Sequence, residues 1–379
     1  MVAKITFMPW LKSYKKSLLC IPGIAHFSVI MSKEFRDLLR KVGSGPHTSK
    51  NLTREESARA MELMLTKEAT PAQIGAFLIA HRIKRPTGTE LAGMLDAFDQ
   101  WGPKVPTLNS GKSVLMLSQP YDGRDRTCPL SPLTALLLAA AGCPVLQHGG
   151  DRMPTKEGIP LMEIWQGLGV NWRSPSLGEI QAILEKTNLA FVYLAKHFPQ
   201  AEALVSYRRE IGKRPPIATL ELIWSPYAGK HHVVAGFVHP PTENMITEAL
   251  TLRGVSAFTT VKGLEGSCDL PQERTAIIGL YDLTQGDNAL TRLRLHAADF
   301  GLGGKNPVWT NLTDYSTLAK ATLAGEQTPL RPALIWNSAF YLWQHTDLEN
   351  LETAIAKAEQ LIDDGLVQQQ WHRLQSYAK

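Results

Sequence analysis

Cysteine is scarce in this chain: four residues among 379, at Cys20, Cys128, Cys143 and Cys268, with no CxxC pair. Spacings this wide supply neither a disulfide framework nor the ligands of a structural zinc site, and they fit reduced thiols in a cytoplasm. Apolar runs long enough to span a bilayer are also missing. "MVAKITFMPWLKSYKKSLLCIPGIAHFSVIM" places lysines ahead of an apolar stretch, as a secretory signal does, but Pro22 and His26 interrupt it and no small-residue cleavage site follows. Met31, opening "MSKEFRDLLRKVG", reads as the natural start, with residues 1–30 an N-terminal extension outside the core. There is no Walker motif, no nucleophile elbow and no HExxH. His231 and His232 are adjacent, so on a strand they point to opposite faces and make a poor metal pair. "GLGGKNP" at 301–307 follows a helical stretch rather than a strand and reads as a loop.

Neither sign of charge dominates. Forty basic residues against 35 acidic ones leave a net charge of +5, which permits an anionic partner without requiring one. What the chain does have is length and 44% hydrophobic content, enough for a large core divided between two lobes.

From Met31 to about Pro106 the pattern is helical. Thr53 with Glu56, Thr70 with Gln73 and Thr87 with Glu90 each form a capping box, which predicts helices starting near 53, 71 and 88. Met61, Met64, Leu65, Ile74, Phe77 and Leu78 supply the stripes that pack them. Beyond Pro106 the short apolar runs "SVLML", "PVLQH", "LAFVYLA", "HHVVAGFV", "AFTTV" and "TAIIGLY" alternate with helical stretches, the texture of crossover units on a parallel sheet. The expected fold is α/β: a small helical lobe over 31–106, and a larger lobe over 107–379 with a mostly parallel central sheet and closing C-terminal helices.

Several segments, in order, resemble the anthranilate phosphoribosyltransferase family (glycosyltransferase family 3) over about residues 34 to 379. "LTREESARAMELMLTKEATPAQIGAFLIAHRIK" is similar to the family's helical opening, "LLLAAAGCPVLQHGG" to its helix and strand ending in KHGN, and "IPLMEIWQGLGV" to the helix that follows. "ALVSYRREIGKR" resembles its basic helix, and "VVAGFVHPPTENMITEALTLRGVSAFTTVKGLEG" its last strand-helix-strand unit, which ends in GLDE in the family. The resemblance implies a nucleoside phosphorylase/phosphoribosyltransferase-like fold, a homodimer joined through the helical lobe, and magnesium if the chain is catalytic.

The departures fall on the chemistry. Family members carry GTGGD, whose glycines let backbone amides approach a diphosphate; here the aligned residues are Gln119, Pro120, Tyr121, Asp122 and Gly123. Pro120 has no amide donor and Tyr121 is bulky, so that cradle cannot form in the same way. Ser131, matching a serine of the family's NIST segment, reads as a helix N-cap beside an anion seat, with Arg124 and Arg126 as side-chain phosphate donors. A solvated arginine-rich loop is the alternative. KHGN becomes Gln147, His148, Gly149 and Gly150, leaving Tyr121, His148 and Gly149 as a possible ligand pocket and His148 either a base or a residue hydrogen-bonded into the fold. The acidic pair of GLDE becomes Glu265 and Gly266, one weak magnesium ligand where the family has two. Arg208 falls where the resemblance implies an arginine that binds the aromatic acid, and Arg209, Lys213 and Arg214 extend its field. Tyr121, Tyr207, Trp172 and Trp224 are either core or platforms on which bases stack.

Two functions remain open from the residues. One is a binding protein without the tryptophan-pathway activity and with no cofactor requirement, holding single-stranded nucleic acid in a basic crevice, as the family's nucleic-acid-binding paralogues imply. The other is a phosphoribosyl or pentosyl transferase with an altered acceptor, acting on a phosphorylated sugar.

Overall fold

The computed structural model describes residues 32–45 and 47–378, so the extension expected at 1–30 lies outside the described residues. Four helices open the described residues: α1 (Lys33–Gly43), α2 (Arg54–Leu65), α3 (Pro71–Lys84) and α4 (Gly88–Trp101). The hydroxyls of Thr53, Thr70 and Thr87 accept the third amide of α2, α3 and α4, while Glu56, Gln73 and Glu90 reach back to the cap amides. The apolar stripes close on each other, with Met61, Met64, Ile74, Phe77 and Leu78 fully buried. Glu90 also ties this lobe internally. Its carboxylate accepts from the Leu52 amide at 2.9 Å and from the Lys84 ammonium at 2.8 Å, with His81 Nε2 at 3.4 Å. Burial pushes this carboxyl up, but His81 and those donors outweigh it and hold the group at about 2.

The second lobe is a seven-stranded sheet in the order β3-β2-β1-β4-β5-β6-β7. The strands are β1 (Val114–Leu117), β2 (Val145–Gly149), β3 (Leu189–Tyr193), β4 (His231–Gly236), β5 (Ala257–Val261), β6 (Ala276–Asp282) and β7 (Leu290–Leu295). β1 to β5 run parallel; β6 and β7 turn back antiparallel. The central strands are apolar on both faces because helices cover both, among them α5 (Ser131–Ala140) and the closing helices Arg331–His345 and Leu351–Asp363. β7, "LTRLRL", is the one strand absent from the sequence reading. It is an edge strand, exposed at Leu290, Thr291, Arg292 and Arg294, so its apolar signal is diluted.

The loops that carry the site all leave the carboxyl ends of the parallel strands, where open α/β sheets place their ligands. Their spacing is fixed by close approach: a Cβ on Gly236, at the end of β4, would lie 2.2 Å from the Gly266 carbonyl oxygen. The helix Pro240–Leu252 then packs on α4, and Arg253 after it pairs with Asp96 and Asp99, which sets the helical lobe across the mouth of the sheet.

Candidate functional site

The loop after β1 carries the departure from GTGGD, and the protein fills it with its own carboxylates. Arg124 joins the segment after β2 through paired backbone bonds with Ile159, 3.2 and 2.7 Å long. This turns the next three amides toward Glu265. The N–H groups of Asp125, Arg126 and Thr127 donate to the Glu265 carboxylate at 3.4, 3.2 and 3.0 Å, the Thr127 hydroxyl at 2.8 Å, and the Lys156 ammonium completes the set. Glu265 holds a left-handed backbone, φ 54°, to reach this place. Burial works against its charge, but Lys156, Thr127 and the loop amides outweigh it and hold the carboxyl far below the ordinary range. Successive amides converging on one carboxylate make an anion nest, and its occupant is a side chain.

A second carboxylate takes the helix end. Asp269 accepts from the Leu130 amide at 2.8 Å, from Gln119 Nε2 at 3.3 Å and from the Arg124 guanidinium. The cap residue of α5 is Leu130, without a side-chain cap bond, and Ser131 is the first residue inside the helix. Ser131 is therefore not the N-cap expected; its hydroxyl is buried and has no hydrogen-bond partner. Arg124 likewise departs from the expected free phosphate donor. It is 1% exposed, bonded to Asp269 and Thr127, with Glu265 at 3.7 Å. Arg126 alone of this pair reaches water.

These contacts decide the fit of magnesium. Glu265 spends both oxygens on five donors including an ammonium, Asp269 is paired with a guanidinium, and the second acid position is Gly266. No group of three His, Cys, Asp or Glu side chains suited to a metal occurs among the described residues. The residues present do not fit the metal, contrary to the single-ligand role considered for Glu265.

The pocket expected around Tyr121, His148 and Gly149 is closed, since all three are buried. The Tyr121 hydroxyl donates to His148 Nδ1, and His148 Nε2–H donates to the Trp224 carbonyl at 3.1 Å. Burial lowers the His148 pKa to about 4, so this is a neutral structural imidazole, the second of the two roles considered for it. Tyr121, Trp172 and Trp224 are 4%, 0% and 1% exposed and are core rather than stacking platforms. Tyr207 is half-buried.

The basic element also divides. Its helix ends at Ile211 and Gly212 takes the left-handed cap, so Lys213 and Arg214 belong to the following loop. Arg208 turns inward, 2% exposed, and pairs with the equally buried Glu221 at 2.5 Å. Glu221 thus stands where the resemblance implies an acid ligand. Arg209 and Lys213 are exposed, and Arg214 reaches Asp122 at 3.5 Å. Arg214 lines the floor of a groove of about 410 Å³ between the lobes, with Arg82, His239, Phe237, Val238 and Met245 also on its walls. No Asp or Glu lines this groove. Arg82 donates to the Arg214 carbonyl at 2.9 Å and has no carboxylate partner among the described residues.

Sequence reasoning missed Lys156, Asp269, Glu221 and Arg82. Asp269 lies four residues past Glu265, close enough to have been read as a second anion facing Arg124. Arg82 was absorbed into a helix that matched the family, and nothing local marks Lys156 or Glu221 as partners of distant charges.

Comparison with known proteins agrees with this architecture. The family model for the glycosyl transferase helical bundle domain matches residues 36–102, and that for the a/b domain of the glycosyl transferase family matches 122–368. The anthranilate phosphoribosyltransferase of Herpetosiphon aurantiacus is 27% identical over 328 residues, 86% of this chain and 94% of its own. That of Prochlorococcus marinus is 27% identical over 357 residues, 92% and 96% of the two chains. Among solved structures, the anthranilate phosphoribosyltransferase from Saccharomyces cerevisiae in complex with PRPP and Mg superposes with a TM-score of 0.78 at 14% identity, covering 91% of this chain and 97% of its own. Two lobes, a mostly parallel sheet and matches along nearly the whole length lead to one conclusion: the chain belongs to the anthranilate phosphoribosyltransferase family of glycosyl transferases.

Proposed function

We propose that this protein binds a phosphate chain, single-stranded nucleic acid, in the groove between its lobes, and does not transfer a phosphoribosyl group to anthranilate. A division of charge carries the reading. The positions aligned with the family's diphosphate loop are neutralised from within by Glu265 and Asp269, whereas Arg82, Arg214 and His239 line a groove that contains no carboxylate. A diphosphate brought to the loop would find its amides, Arg124 and Lys156 already paired with buried carboxylates, so it would have to displace Glu265 or Asp269 to gain a donor. A phosphate chain in the groove meets Arg82 and Arg214, and Arg126, Arg209 and Lys213 are exposed elsewhere on the surface where Arg124 and Arg208 are buried. The reading includes a homodimer joined through the helical lobe. Among the described residues no helix is long and apolar enough to cross a membrane.

The test is a titration of labelled oligothymidylate at several salt concentrations, with the wild type and with Arg82→Gln/Arg214→Gln. Binding should weaken by roughly 0.7 log unit per phosphate contact for each tenfold rise in salt, and the double variant should lower that slope by about 1.4. No binding at low salt, or an unchanged slope in the variant, would overturn the proposal. The transferase reading expects tight binding of phosphoribosyl diphosphate with magnesium and turnover with anthranilate on the usual enzyme scale, around one per second.

A further inference from the structure

The groove does not end at its own wall. Phe237, which lines it, follows β4, and the Phe237 amide donates to the Val261 carbonyl at 2.8 Å. The next residue along β5, Lys262, donates its amide to Ile277 at 2.9 Å, and Ile277 pairs with Arg294 of β7. Phe237, Lys262, Ile277 and Arg294 therefore form one row across four adjacent strands, and residues in register on neighbouring strands share a face. The row one step back, Ala235, Thr260, Gly279 and Arg292, lies two residues away on every strand and on the same face. There the helix Pro240–Leu252 covers the sheet, with Glu243 bonded to Thr260 and Arg292 at 2.6 Å each. The outer row lies beyond that cover. Lys262 is half-exposed and Arg294 exposed, and Arg274, also exposed, donates to the Lys262 carbonyl at 3.2 Å. Among the described residues Lys262, Arg274 and Arg294 have no carboxylate partner; Glu273, exposed beside Arg274, is the acid on this segment.

We propose that this row is a second stretch of the nucleic-acid surface, along which a single strand leaves the inter-lobe groove and crosses the antiparallel edge of the sheet to Arg294. The inference rests on the proposed function and adds to it a path and a length. Strands are spaced by roughly 4.8 Å, so three intervals lengthen the track by about 15 Å. Unpaired cations on a path continuous with the groove offer the charge complementarity that a phosphate chain requires. Half-exposed Ile277 and the exposed Val238 provide apolar surface between them.

The experiment is a length series of labelled oligothymidylates, about 4 to 20 nucleotides, against the wild type, Lys262→Gln/Arg294→Gln and Arg82→Gln/Arg214→Gln. Thermal melts of each variant check folding: Lys262→Gln/Arg294→Gln removes charges with no carboxylate partner and should leave it intact, whereas Arg214→Gln also unpairs the buried Asp122, so the groove variant is assayed below its own melting temperature. In the wild type, affinity and salt slope should keep rising past the length at which the groove variant's loss is already complete. Lys262→Gln/Arg294→Gln should bind the shortest oligomers normally and lose the extra slope with the longest, about 1.4, a difference of roughly 25-fold in affinity over a tenfold range of salt. Equal slopes for this variant and the wild type at every length, with groove binding intact, would overturn the track alone. Absence of binding at all lengths in the wild type would overturn the proposed function and the track with it.

Discussion

Replacing Glu265 by alanine should turn the internally filled nest into a phosphate site. Alanine leaves the backbone demand at φ 54° as it is and removes only the carboxylate. Three amides, the Thr127 hydroxyl and the Lys156 ammonium then lose their common acceptor. Removing one partner of a buried charge pair costs about 3 to 5 kcal/mol. Lys156 is 29% exposed and can turn to water, which places the expected loss near the lower end, about 3 kcal/mol. An inorganic anion can take the vacated place. If phosphate binds the variant with a Kd of about 1 mM, then 100 mM phosphate restores about 2.7 kcal/mol through mass action. For a lobe of this size that is roughly 5 to 10 °C in Tm. The assay is thermal unfolding of wild type and variant in phosphate and in chloride at equal ionic strength, and the variant should gain clearly more from phosphate than the wild type, whose groove is common to both. Equal phosphate shifts in both proteins, or none in the variant, would refute the assignment of Glu265 as the nest's occupant.

Two further outcomes follow from the buried groups. Tyr121→Phe removes the hydroxyl that donates to the buried His148 Nδ1 and should lower stability by about 1 to 3 kcal/mol without changing oligonucleotide affinity; unchanged stability would contradict the buried hydrogen bond. Burial depresses His148 and His345 to about 4 and His232 to about 3, so each is neutral when folded and the unfolded chain binds more protons below about 6.5. Stability should therefore be complete above that pH and fall as pH drops toward 4, and a Tm that is flat from pH 7 to 4 would contradict these environments.

The lobes were legible in the sequence because their signals are local. A threonine three residues ahead of Glu56, Gln73 or Glu90 marks a helix start regardless of distant packing, and each of those starts is found. The parallel strands were legible because burial on both faces leaves continuous apolar runs, and β7 was not because one edge strand can keep its arginines in water. The site was legible only as an inventory of charges. Whether an arginine faces solvent or a carboxylate depends on residues far away in sequence: Arg124 meets Asp269 across 145 positions, and Glu265 meets Lys156 across 109. No spacing rule encodes such pairings, so Arg124 and Arg208 read as ligand donors although the fold pairs them internally. The erosion of GTGGD and GLDE, in contrast, was visible directly, since loss of a glycine or an acid is a property of the residue itself.

The most direct measurement is one competition experiment on the full-length protein: labelled oligothymidylate bound at low salt, then titrated with phosphoribosyl diphosphate and magnesium at matched ionic strength. The groove and the carboxylate-filled loop predict that the oligonucleotide remains bound, apart from ordinary salt-like screening, and that added anthranilate produces no phosphoribosyl anthranilate. Displacement of the oligonucleotide at low concentrations of the sugar diphosphate, accompanied by product, would contradict the account.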